Sequence, residues 1–388
     1  MEKPRILIIG AGMVGLAQAL ALAKLDVEII VLESEQPKLT GSPQELDART
    51  CAINPSSQLF LQQLNVWNKV NPSALSAVEK IQVWDSQTDA SISFDCSEFQ
   101  KNRLATIVVN RALQAALWEA AQACPNIHLH CPETPESYRQ LPNSNIEVQT
   151  NKNNYQADLI IGADGGHSWL REQLNLNYYE RHYEQEAIVA VIECEKLHER
   201  SAYQVFHPTG PLALLPLANL HHCAIVWSND LTRAQELMQL PIEKFNFELT
   251  HAFSGRLGFL KCLTERKTIP LLLRDVKQYL QGRAILIGDA AHNIHPLAGQ
   301  GVNLGLMDAQ CLAEKITLSL QQHQTVFYPR LLREFERERK AKNRTILYLM
   351  SAFKECFAKE SFLFAQVRAI GLQLFDRFSV LKRAIILN

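Results

Sequence analysis

Gly10, Gly12 and Gly15 follow an apolar run (Arg5–Ile9) and open an Ala/Leu-rich stretch, and Glu33 stands eighteen residues after Gly15. That spacing suits a dinucleotide. Gly10 allows a tight turn, Gly12 lets the backbone approach a pyrophosphate, and Gly15 lets helix and strand pack closely, while the helix start attracts phosphate charge. Glu33 can accept hydrogen bonds from both hydroxyls of an adenosine ribose and would repel a 2′-phosphate. A lone glycine triplet is a weak signal; its strand–helix–strand–acid context makes it a dinucleotide site without separating NAD from FAD. A second constellation makes that separation. Some 250 residues beyond Glu33, the run RAILIG ends in Asp289, and an acid at a strand end can hold the hydroxyls of a polyol such as ribityl. The turn at Gly299 and Gly301 then starts a helix whose positive end would stabilise negative charge on a reduced flavin.

These residues need holders. The run 5–9, a helix to about Lys24 and a strand over 27–32 form a βαβ unit, the opening of an α/β fold. A strand-like TIVV leads into the helical NRALQAALWEAAQAC, and 157–163 is a further buried strand, ending in Asp164. Between 186 and 230 the segments AIVAVIEC, SAYQVF, LALLPL and HHCAIVWS predict successive strands of a mostly antiparallel sheet. The segment 283–288 predicts another buried strand, a helix runs from Gly301 into Leu320, and the chain beyond 325 is helical.

Composition limits the alternatives. The 388 residues are 47% apolar and 20% charged, with a net charge of −1, which excludes disorder and a whole-chain nucleic-acid binder. At roughly 150 residues per domain, two or three domains are expected. Nine cysteines without a CxxC pair argue against a disulfide framework or structural zinc and for a reducing compartment. The basic start and apolar run imitate an export signal, but the glycine spacing explains the run better, and no stretch of 18 apolar residues is present. His292 and His295 invite a metal, yet no third ligand accompanies them, so none is assigned; His128 and His130 share one strand face as surface residues. Gly305 lies one residue off the spacing of a second dinucleotide site. The near-neutral total conceals a division: from Arg330 onward 13 Lys and Arg face 6 Asp and Glu, a net of +7 against −8 before it. A basic, aromatic end favours an anionic membrane surface or an acidic partner.

The segment GDAAHNIHPLAGQGVNLGLMD resembles the signature of the ubiquinone-biosynthesis hydroxylases, a branch of the FAD-dependent aromatic monooxygenases. Asp47-Ala48-Arg49 with the following NPSS and LFLQQLNVW, GADGGHSWLR from Gly162 to Arg171, and FHPTGPLALLPL from Phe206 resemble three further family segments. The resemblance implies a para-hydroxybenzoate-hydroxylase-like fold. A discontinuous Rossmann-like FAD domain (1–75, 101–180, 271–325) would carry an inserted antiparallel substrate domain (76–100, 181–270) and a helical C-terminal region (326–388). It implies that Glu33 binds the adenosine ribose, Arg111 the pyrophosphate region and Asp289 the ribityl chain. Arg49 would lie near the flavin, with Gly299, Gly301 and Asn303 flanking its ring system and Pro296 and its loop near the reaction. Asp164 and Arg171 would either serve the cofactor or tie the GADG turn together.

The implied reaction uses NAD(P)H as a transient donor without its own Rossmann domain. O2 then adds at the flavin C4a position, and the hydroperoxide hydroxylates a polyprenylated phenol or quinone precursor. No catalytic base is assignable; the inner face of the 186–230 sheet and the loop before Pro296 are where one would stand. A quinone-biosynthesis complex and a cytoplasmic location, peripheral on the inner face of the cytoplasmic membrane, follow as expectations. The rivals are a hydroxylase of a small soluble aromatic and a non-catalytic flavin-binding assembly component; the lack of a WxWxIP segment disfavours a halogenase.

Overall fold

The computed structural model describes residues 3–39, 46–88, 90–141, 145–293 and 301–358. The apolar runs form its central layer. Strand β1 (Arg5–Ile9), helix α1 (Met13–Leu22) and strand β2 (Glu28–Leu32) make the opening unit, with β1 parallel to β2 in the register Ile6↔Ile29. Six strands complete the sheet in the order Leu280–Gln281, Ala284–Leu286, Leu159–Gly162, β1, β2, Ile127–His130. All neighbours are parallel except the terminal hairpin.

Because successive side chains point to opposite faces, β1 serves two cores. Ile6 and Ile8 pack with Leu16 of α1, Leu113 and Leu117 of the helix Asn110–Gln122, and Leu306 and Leu312 of the helix Gly301–His323. Leu7 and Ile9 face the other way, onto Ile146 and Val148 of a three-stranded antiparallel sheet and onto Tyr279. Burial on both faces explains why these strands read as continuous apolar runs rather than alternating ones.

A nine-stranded sheet forms the second body. Its long strands are Tyr178–Cys194, Lys267–Val276, His222–Asp230, Gly210–Pro216 and Ser201–His207, followed outward by Lys80–Asp85 and Ser91–Asp95. The pairing is antiparallel but for Ser201–His207 against Lys80–Asp85. Ile188, Ala190 and Ile192 alternate onto one face, where the helices Leu231–Gln239 and Ile242–Ala252 cover them through Leu237, Phe245 and Leu249. On the opposite face Ala202, Leu215 and Leu217 meet Val78, Ile107 and Ala52 of a small sheet that borders the nucleotide half.

Strand Tyr178–Cys194 begins nine residues before its apolar segment, because backbone pairing with Lys267–Val276 rather than burial holds its polar first half. The expected domain limits after 180 and 270 therefore fall inside these two strands, which run on as one paired ribbon. Helix Pro329–Ala358 occupies the start of the basic C-terminal region; residues 359–388 lie outside those described. Among the described residues no helix is long and apolar enough to cross a membrane.

Candidate active site

Parallel strands end together, and the loops leaving their carboxyl ends form the site. Backbone bonds stitch these ends in a row: Gly10 N–H to Leu32 O (2.8 Å), Ala163 N–H to Ile9 O (2.8 Å) and Ile287 N–H to Gly162 O (2.9 Å). Gly10 has φ +100°, and a Cβ there would lie 2.5 Å from Ala163 O; one on Gly15 would lie 2.0 Å from Gly10 O. Gly12 differs. Among the described residues nothing lies within 4 Å of its absent Cβ, and as N-cap of α1 it supplies no side-chain acceptor to the helix start. Backbone donors are left open to a ligand there.

Glu33, half-buried at the end of β2, accepts the Ala11 N–H at 2.8 Å and the Glu35 N–H at 3.2 Å. Gln114 donates to Ala11 O at 3.2 Å, which brings the helix Asn110–Gln122 against the glycine loop. Arg111, one turn earlier and half-buried, stands on the same side of that helix. Exposed Arg49, just ahead of the strand Thr50–Ile53, meets the start of the same helix through its backbone, its carbonyl accepting the Asn110 N–H at 3.0 Å. Gln114 is a site residue that sequence reasoning passed over; its spacing from Arg111 is the signal that would have found it.

The second cluster closes the other end of the row. Gly288 turns with φ +59°, and Asp289 follows it in the short turn Gly288–Ala290. Solvent reaches the Asp289 carboxylate, yet surrounding protein strips much of its water and pushes its pKa up, with His292 opposing and Asp308 adding to the rise. Gly301 begins its helix, and among the described residues nothing lies within 4 Å of an added Cβ. Asn303 is buried and spends its amide on backbone, donating to Ala52 O (2.7 Å) and accepting the Asn54 N–H (3.0 Å). It therefore fixes the segment after Arg49 to the helix start. Pro296 and Gly299 lie outside the described residues.

For Asp164 and Arg171 the geometry shows the tying role. Asp164 accepts the Leu170 N–H at 3.1 Å, and its burial pushes its carboxyl up; Arg171 donates to Gly166 O (2.8 Å) and Ala290 O (3.1 Å). The GADG turn is thus bound to the turn that carries Asp289. His292 is buried with Nε2 on Asp308 at 2.5 Å, and among the described residues no group of His, Cys, Asp or Glu is arranged to hold a metal. Gly305 is a packing residue, since a Cβ there would meet Val14 Cγ2 at 2.6 Å.

These groups fit FAD. Open backbone at Gly12 suits the pyrophosphate, Glu33 the adenosine ribose and Asp289 a polyol, while the open start of the 301–323 helix suits the flavin ring. The FAD binding domain family matches residues 3–348. The chain is 32% identical to the 3-demethoxyubiquinol 3-hydroxylase of Escherichia coli K12, covering 98% of this chain and 97% of that one. It belongs to the ubiquinone-biosynthesis hydroxylase family of FAD-binding proteins. The ubiquinone hydroxylase UbiL of Rhodospirillum rubrum is 30% identical, over 97% of this hydroxylase and 87% of its own length. In fold, the hydroxylase is similar to p-nitrophenol 4-monooxygenase PnpA from Pseudomonas putida DLL-E4. The TM-score is 0.79 at 18% identity, with 100% of this chain and 98% of that one covered.

Proposed function

We propose that this FAD-dependent hydroxylase acts on the aromatic ring of a polyprenylated phenol or quinone precursor of ubiquinone, drawing on NAD(P)H and O2. The observation that carries the reading is the row of Gly12, Glu33, Asp289 and Gly301 along the carboxyl edge of the parallel sheet. The relationship to 3-demethoxyubiquinol 3-hydroxylase along nearly the whole chain supports the substrate class.

FAD, when bound, supplies the redox and oxygen chemistry. The chain supplies position, charge and dryness. The α1 start would hold the pyrophosphate, Glu33 the adenosine ribose and Asp289 the ribityl chain. The 301–323 helix start offers positive potential to the flavin pyrimidine. Ala202, Leu215 and Leu217 of the large sheet pack on Val78, Ile107 and Ala52, an apolar seam that keeps water from the junction with the nucleotide half. A phenol of pKa about 10 is mostly protonated at neutral pH, so a positioned base would contribute about 10²–10⁴-fold.

A cytoplasmic location at the inner membrane face, and membership of a quinone-biosynthesis assembly, belong to the same proposal. The net +7 from Arg330 onward supports contact with anionic lipid. The test supplies purified holoenzyme with a polyprenylated phenol or with small soluble phenols, under NADH and under NADPH, and identifies products by mass spectrometry. A hydroxylated prenylphenol is expected. Turnover of soluble phenols alone would sink the substrate class, and FAD binding without consumption of reductant or O2 would make the chain an assembly component. Co-sedimentation with anionic but not neutral vesicles checks the membrane contact.

A further inference from the structure

The helix Pro329–Ala358 sends two stripes of polar side chains into the FAD-binding half. Glu336, Lys340 and Arg344, four residues apart, grip one segment. Glu336 accepts the Tyr279 N–H at 2.6 Å, Lys340 donates to Lys277 O, and Arg344 meets Asp275 at 2.8 Å. Arg339 and Asn343 form the second stripe and are buried, although the helix is otherwise rich in exposed charge. Both reach Asp308 Oδ1, at 2.7 and 3.3 Å, and Arg339 also donates to Asn343 Oδ1 at 3.0 Å.

The other oxygen of Asp308 accepts the Gly288 N–H at 3.0 Å and meets His292 Nε2 at 2.5 Å. Gly288 immediately precedes Asp289, and His292 follows it three residues later. One buried carboxylate therefore holds both sides of the turn presenting the acid assigned to the flavin. The same turn touches the pyrophosphate end, because a Cβ on Gly288 would lie 3.3 Å from Val14 in the first turn of α1. A buried ion pair seldom stabilises a fold more than well-packed apolar residues would. What this one supplies is a fixed place for a turn.

We propose that Arg339 and Asn343 are positioning residues for the flavin, holding Asp289 in place through Asp308 and the turn 288–292. Contacts of this outer kind typically cost 10–100-fold in ligand affinity when removed from metal sites, and a comparable loss applies to a polyol anchor. The inference rests on FAD occupying the recess beside Asp289.

The test uses full-length protein carrying Arg339→Gln, Arg339→Lys or Asn343→Ala. Arg333→Gln, at an exposed position of the same helix, serves as control. Each is freed of FAD and titrated with FAD by flavin fluorescence, with the visible spectrum of the bound flavin and the thermal midpoint recorded alongside. Arg339→Gln is expected to raise the Kd for FAD about 10- to 100-fold and shift the flavin bands. Asn343→Ala should raise it less, Arg339→Lys should recover part of the loss, and Arg333→Gln should match wild type. A mere structural bolt would lower the thermal midpoint while leaving Kd and spectrum unchanged, and that result overturns the proposal. If Arg339→Gln does not fold, Asn343→Ala and Arg339→Lys decide by the same two readouts. A wild-type chain that takes up no FAD would overturn the cofactor assignment itself, a failure visible before any variant is compared.

Discussion

Gly12 and Gly15 stand three residues apart in one motif, yet substitution with alanine should separate folding from cofactor binding. A Cβ on Gly15 would sit 2.0 Å from the Gly10 carbonyl oxygen, and real contacts of this kind stay beyond 3.0 Å, so α1 would have to move off β1 by about 1 Å. Backbone opposes backbone there, and no flexible side chain can yield. Overpacking at this level costs about 1–3 kcal/mol or more. Among the described residues a Cβ on Gly12 would meet nothing within 4 Å, and the backbone there is ordinary, so the apoprotein should lose only about 1 kcal/mol or less, the difference between Gly and Ala at an N-cap. The open volume beside Gly12 is the place assigned to the pyrophosphate. Gly12→Ala should therefore weaken FAD binding at least about 10-fold, near 1.4 kcal/mol. Urea unfolding of the apoproteins and fluorescence titration with FAD measure the two quantities separately. Full FAD affinity in Gly12→Ala, or equal loss of apoprotein stability in both variants, would refute the reasoning.

Other outcomes follow from the same geometry. Asp289→Ala should purify with little FAD, and an absorbance spectrum showing full flavin occupancy would contradict its assignment to the ribityl chain. Gly305→Ala places a methyl 2.6 Å from Val14 Cγ2 and should lower the thermal midpoint; adding Val14→Ala should restore part of the loss, which a double-mutant cycle measures. Asp308 titrates at about 2: burial raises its carboxyl, but the charges and hydrogen bonds of His292 and Arg339 outweigh burial and pull it below the ordinary 3.8. A depressed acid stabilises the native state fully above its unfolded pKa and loses that contribution as pH falls, here between about pH 4 and about pH 2. Arg339→Gln should raise the Asp308 carboxyl and so move acid unfolding to higher pH, read as an upward shift in the pH midpoint of unfolding.

Local chemistry made the nucleotide half readable. Gly10, Gly12, Gly15 and Glu33 act through backbone geometry fixed within one βαβ unit, and the acid at 289 announced itself by following an apolar run. The antiparallel segments between 186 and 230 were visible because pleated strands must alternate or stay apolar. Residues that act across long separations were hidden. The family resemblance singles out Asn303 as a flavin neighbour, but its bonds to Ala52 and Asn54, some 250 residues earlier, appear only in the fold. Arg339 sits in a charged stretch that reads as a solvated face, and only Asp308, 31 residues before it, shows otherwise. The polar start of the strand at Tyr178 carried no burial signal, since hydrogen bonding to Lys267–Val276 is what makes it a strand.

The strand order of the parallel sheet also sets a timetable. On a ribosome β1 emerges first, but its neighbour Leu159–Gly162 comes much later, and Ala284–Leu286, which covers that strand in turn, later still. During the interval the nascent chain carries an unpaired apolar edge, the kind of surface that invites aggregation and chaperone capture. The buried Arg339 contact to Asp308, behind the turn carrying Asp289, forms only after that residue leaves the exit tunnel. If Arg339 has the positioning role proposed above, cofactor loading waits for its helix, and products ending before that helix would emerge as sticky, colourless protein.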